Sequence, residues 1–135
     1  MSKYNTNLAS EFYVLSMLHR VGCDASLTLG NKKSVDIVVV RGPDDVITVD
    51  VKGLAGRTSW PVDNVKKVAA NHFFVFVCYL GKIGDPSVVP EVYVVPSGQL
   101  APLVYHAPGS GRQVLQLSRM RKDGADFKDA WHLLQ

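Results

Sequence analysis

The chain has 135 residues, 47% of them hydrophobic and 20% charged, with a formal net charge of +3. That size and balance fit one domain over residues 1–135 with a buried core, and exclude a low-complexity chain. The longest apolar runs, Phe73 to Leu80 and Val35 to Val40, are strand-length and too short for a bilayer. No basic stretch followed by an apolar segment and a cleavage site opens the sequence, so a cytoplasmic protein without a membrane partner is expected.

Residues Thr6 to Val21 predict a helix capped by Asn5 or Thr6 and ended by Gly22, with Leu8, Phe12, Leu15 and Leu18 at helical spacing. Glu11 projects between Leu15 and Leu18, inside that stripe, where a carboxylate is costly unless it reaches solvent, a partner or a metal. A short strand is expected over Ala25 to Leu29, ended by Gly30 and Asn31. Two strands follow, Ser34 to Val40 and Val46 to Lys52, joined by the turn formers of Arg41-Gly42-Pro43-Asp44-Asp45.

Pairing these arms symmetrically about Pro43 sets Val40 opposite Val46, Val38 opposite Thr48 and Asp36 opposite Asp50; a register shifted by an even number keeps the same faces. Side chains alternate along a strand, so Lys52 shares the face of both acids, while Val35, Ile37, Val39, Ile47, Val49 and Val51 fill the other. Opposed like charges destabilise a sheet. A hard cation such as Mg²⁺ would compensate them, since it takes oxygen ligands from one or two carboxylates plus water and phosphate.

After Lys52, residues 53–59 read as a loop, and Trp60-Pro61 opens a short helix or irregular stretch with Val62, Val65 and Val68 inward. His72 to Leu80 predicts a central strand buried on both faces. Glu91 to Val95 predicts another strand, Ala101 to Gly111 a loop, and Gln113 to Leu117 either a short strand or a helical turn. Phe127, Ala130, Trp131 and Leu134 recur at helical spacing and predict a docked amphipathic helix over Asp126 to Leu134. Helices and strands in this order imply an α/β fold, a central mixed β-sheet flanked by helices. Cys23 and Cys78 fit no metal spacing and read as packed, reduced thiols.

Glu11 on a first helix, Asp36, then Asp50-Val51-Lys52 on successive strands resembles the PD-(D/E)xK nuclease superfamily, whose fold is restriction-endonuclease-like. Val35 stands where the motif's proline would be, and the second acid is Asp50 rather than Glu. The resemblance implies a Mg²⁺-dependent DNA endonuclease, with Mn²⁺ as a substitute ion, DNA as partner and a possible homodimer for cutting both strands. It implies Glu11, Asp36, Asp50 and Lys52 as catalytic residues, and Glu11, Asp36, Asp50 and the Val51 carbonyl as metal ligands. Lys52 would position water or stabilise transition-state charge. The alternative is a non-catalytic nucleic-acid-binding or protein-interaction module with the same fold.

Beside this set, Arg57 is a candidate phosphate contact, and Trp60 either stacks on a base or caps the core. His106 and Arg112, flanking Gly109-Ser110-Gly111, are further candidate substrate contacts; no Gly-Lys-Ser/Thr follows, so this is not a Walker loop. His19, His72 and His132 show no ligand spacing and read as structural or exposed. Lys32, Lys33, Lys66, Lys67, Arg119, Arg121 and Lys122 add scattered positive charge suited to tracking a nucleic-acid backbone.

Overall fold

The computed structural model describes residues 2–28, 36–63 and 69–135, apart from the Tyr4 side chain. The expectations for Leu29, Gly30, Asn31, Lys32, Lys33, Ser34, Val35, Val65, Lys66, Lys67 and Val68 lie outside the described residues.

Helix α1 (Lys3–Arg20) starts a turn earlier than the sequence suggests, because Ser2 caps it by accepting a hydrogen bond from the Asn5 N–H at 3.1 Å. It ends where expected, at Gly22, whose φ of +88° suits glycine. The buried stripe is rotated from the predicted one. Thr6, Ser10, Val14 and Leu18 face inward, and Phe12 is 53% exposed. The reason is close packing. Gly53 lies so near α1 that a Cβ there would meet Ser10 Oγ and stand 3.0 Å from the Thr6 carbonyl oxygen, leaving no room for a leucine on that part of the helix. The small residues it requires stay satisfied: the Ser10 hydroxyl donates to the Thr6 carbonyl at 2.7 Å and lies 3.3 Å from the Tyr79 hydroxyl.

Strands β1 (Asp24–Leu27), β2 (Ile37–Gly42), β3 (Asp45–Leu54), β5 (His72–Cys78) and β6 (Glu91–Pro96) form a mixed sheet in the order β1-β2-β3-β5-β6. Only β3 and β5 pair in parallel. The β2–β3 hairpin keeps the predicted register, Val40 opposite Val46 and Val38 opposite Thr48, with a bulge at Arg41 and a left-handed Asp44 at φ 61° completing the turn. Strand β5 is central and buried on both faces after His72, as its unbroken apolar run implies.

The sheet separates two cores. On one face Ile37, Val39, Ile47, Val49, Val51, Val75 and Val77 pack against Val14 and Leu18 of α1 and against Trp131 and Leu134. On the other, Phe74, Phe76, Cys78, Tyr93 and Val95 pack under Trp60, Leu115 and Met120. This second layer is a small sheet, β4 (Ser59–Pro61), β8 (Gln113–Gln116) and β7 (Tyr105–His106) in the order β4-β8-β7, continued by α2 (Leu117–Asp123). Trp60-Pro61 is thus strand rather than the start of a helix, and Gln113 to Leu117 resolves as a strand leading into α2. Cys23 and Cys78 are free thiols, and Cys78 is buried.

The expected C-terminal helix is two 3₁₀ turns, Ala125–Phe127 and Trp131–Leu134. Phe127 packs on the second core, whereas Ala130, Trp131 and Leu134 enter the first. One helix cannot serve both sides of a sheet. The chain instead rounds the β6 edge, where Asp129 adopts φ 51° and donates its N–H to the Val92 carbonyl at 2.9 Å. Among the described residues no helix is long and apolar enough to cross a membrane.

Arg121 of α2 grips Glu91 of β6 through two hydrogen bonds of 2.9 and 2.8 Å, and the Tyr93 hydroxyl donates to the same carboxylate. The Arg121 guanidinium, with the Tyr93 hydroxyl, holds the Glu91 carboxyl down at about 2 against an ordinary 4.5. A depressed carboxyl contributes stability that is present above pH 4.5 and lost as pH falls toward 2. Arg121→Ala should therefore flatten the acid limb of the stability–pH curve over that window. Its cost at neutral pH is expected to be on the order of 1–2 kcal/mol, screening at the exposed Arg121 included; urea melts between pH 2 and 7 would measure both. Gly53→Ala should cost about 1–3 kcal/mol by overpacking, with part recovered when Ser10→Ala is added, as thermal melts would show.

Candidate functional site

Strand β3 carries the polar residues singled out by the sequence. Its odd positions Ile47, Val49 and Val51 are buried in the α1-side core, so the even positions Asp50 and Lys52 project from the other face. There Asp50 stands beside Phe74 and Lys52 beside Phe76 in the parallel register, at the margin of the aromatic second core.

Asp36 precedes β2 but continues its ladder: its N–H donates to the Val49 carbonyl at 3.0 Å, and its carbonyl accepts from the Thr28 N–H at 2.9 Å. The paired register of β2 and β3 ends at Ile37–Val49, one residue short of Asp36 and Asp50.

Each carboxylate is turned to a donor. Asp36 Oδ2 accepts from the Val51 N–H at 2.8 Å, taking the place of a backbone partner at that position. Asp50 Oδ2 lies 3.0 Å from His72 Nε2, with the two side chains 24% and 12% exposed. His72 in turn meets the Phe74 ring edge-on at 4.7 Å between centroids, which fixes the imidazole plane. A hydrogen-bond partner beside each carboxylate offsets part of the cost of placing it at this half-buried margin.

Glu11 is half-buried on α1, one turn beyond Asn7 on the same flank of the helix. Among the described residues no three His, Cys, Asp or Glu side chains gather closely enough to hold a metal ion.

Lys52 opens on a cleft of about 330 Å³ whose walls include Lys3 and Asn7 of α1, Pro61 of β4, Asp63 and Arg112. Arg112 reaches it from the turn before β8 and is paired with Asp63, Nε to Oδ2 3.0 Å. Asp63 is itself anchored, since Oδ1 accepts from the Gln113 N–H at 2.6 Å. These bonds, led by the Gln113 amide, hold the Asp63 carboxyl below its usual range.

The remaining sequence candidates are distributed differently. Arg57 is exposed in the bend after β3, and His106 is exposed on β7, paired with Gln113. Trp60 is wholly buried, with its indole N–H donating to the Val77 carbonyl at 3.2 Å and its ring 5.2 Å from that of Phe76. It caps the core, and no ring face is left for a base; the stacking expectation is corrected accordingly. His72 was not among the candidates, because its place beside Asp50 follows from the parallel β3–β5 register, which no local turn encodes.

No family model and no curated protein matches the chain. Among solved structures, that of a bacterial homing endonuclease, I-Ssp6803I, matches with a TM-score of 0.58 and 20% identity, covering 98% of this chain and 91% of that one. At that identity the likeness establishes a shared fold.

One consequence of the Asp36–Val51 bond is directly measurable. Asp36→Ala should cost about 1.5–3 kcal/mol, the range for a hydrogen bond to a charged group, because it strands the Val51 N–H. Asp36→Asn keeps an acceptor oxygen and should cost clearly less, as a urea titration of both variants would show.

Proposed function

We propose that this chain is a divalent-metal-dependent DNA endonuclease of the PD-(D/E)xK type. The observation that carries this reading is the alternation along β3, which puts Lys52 on the face of Asp50 at the mouth of a cationic cleft, with Asp36 bound to the amide of Val51 between them. The fold shared with a bacterial homing endonuclease supports it.

The donor set suits a hard cation of the Mg²⁺ kind, with Mn²⁺ as substitute: two carboxylates and the Val51 carbonyl offer oxygen only, and such ions are held by one or two carboxylates plus water and substrate phosphate. Asp36, Asp50 and Val51 would hold the ion, with Glu11 acting from α1 through water. A bound ion of this class acidifies water and polarises the phosphate. Binding such an ion would require Asp36 and Asp50 to share or exchange the partners they hold in the Val51 N–H and His72. Lys52 supplies positive charge beside the scissile phosphate, where it stabilises the extra charge of the transition state.

A second reading, a non-catalytic nucleic-acid-binding module with the same fold, is favoured by a specific observation: the carboxylates already have donors, and no three ligand side chains gather among the described residues. Metal response separates the two. Under the nuclease reading, Mg²⁺ or Mn²⁺ raises the melting temperature, and Asp50→Asn abolishes both that rise and cleavage of duplex DNA. Lys52→Ala keeps the rise but slows single-turnover cleavage about 10²–10³-fold, the range for losing one transition-state charge partner. A melting temperature indifferent to metal, with no cleavage by the wild type, would leave the non-catalytic module.

A further inference from the structure

The cleft beside Lys52 assembles cationic side chains from distant parts of the chain. Lys3 comes from the first turn of α1, Lys52 from β3 and Arg112 from the turn before β8; Asn7 adds an amide. The cleft wall also carries the carboxylate of Asp63, which is committed twice, to the Gln113 N–H and to the Arg112 guanidinium.

We propose that Lys3, Asn7 and Arg112 form a subsite for a DNA backbone phosphate flanking the one at Lys52, and that Asp63 opposes its occupancy while holding Arg112 in place. This rests on the nuclease reading for the choice of DNA as ligand. The chemistry of the cleft supports a phosphodiester. Guanidinium and ammonium groups are the usual phosphate contacts, the amide of Asn7 donates to an oxygen, and Pro61 offers an apolar wall for a sugar. Arg112 is well exposed at the rim, 59%, so a phosphate can reach its remaining N–H groups without opening the core. Asp63 sets a threshold, since a single anion competes with it for Arg112, whereas a polymer bringing several phosphates is favoured by all three cations together.

The test is binding of a fluorescent 20-base-pair duplex in EDTA, followed by anisotropy across a salt series, so that it does not depend on metal or cleavage. Lys3→Ala and Arg112→Ala are each expected to weaken binding about 3–10-fold and to lower the slope of log affinity against log salt by about one. Arg41→Ala, at the hairpin turn on the opposite end of β3, should leave both unchanged. Asp63→Asn should tighten binding, a direction that loss of a purely structural contact would not produce. The subsite is overturned if Arg112→Ala and Arg41→Ala behave alike, if Asp63→Asn weakens binding, or if the wild type does not bind the duplex. Binding with these slopes but no metal-dependent cleavage would overturn the nuclease reading and leave the subsite standing; cleavage with unaltered slopes in the variants would do the reverse.

Discussion

Strand β3 is the constraint on which the rest depends. It is a central strand, antiparallel to β2 on one side and parallel to β5 on the other, and its two sets of side chains belong to different layers. Ile47, Val49 and Val51 close the core under α1, and Asp50 and Lys52 face the layer of β4, β8 and α2. A slip of one residue would exchange the sets, placing a carboxylate and an ammonium under α1 and valines beside the cleft. The hydrophobic pattern that makes the fold stable thereby fixes the orientation of the polar residues.

The neighbourhood of Asp50 and Lys52 adds to this. Phe74, Phe76 and Trp60 exclude water from one side of the pair, and charges at such a margin interact more strongly than they would in bulk water. The same surroundings make an unpartnered carboxylate costly, which is why Asp50 meets His72 and Asp36 meets an amide. Carboxylates with partners already in place are held in one geometry at this margin.

The hairpin was legible because its signals are local: alternating residues on both arms, Pro and Gly between them, and one face that must be buried. Strand β5 was legible for a related reason, an apolar run suited to burial on both sides. What sequence could not reveal depended on distant partners. The helix stripe is offset because Gly53, far along the chain, demands Ser10 beneath it. The periodic residues at the C-terminus predicted a helix, yet Phe127 and Trp131 belong to opposite faces of the sheet, so spacing alone misled. Trp60 offered two readings, and only its β8 partners and the Val77 carbonyl decide between them. Of the candidate site, the shared face of Asp50 and Lys52 followed from periodicity, whereas His72, Lys3, Asn7 and Asp63 reach it through tertiary pairing.

The pairing of Trp60 with Leu115 also bears on the order of assembly. The β2–β3 hairpin closes a two-residue turn, and β1 with β2 and β5 with β6 pair segments that follow one another among the strands, so most of the five-stranded sheet joins sequence neighbours. The small sheet must instead join β4 to β8 across most of the intervening sequence, a closure that costs more entropy and is repaid only once the aromatic cluster beneath it has formed. Lys3 and Lys52 lie on elements of the first layer and Arg112 beside the last strand of the second. The cleft is consequently completed by the part of the molecule with the longest closure, and an opening confined to that part would dismantle it while leaving α1 on its own face of the sheet.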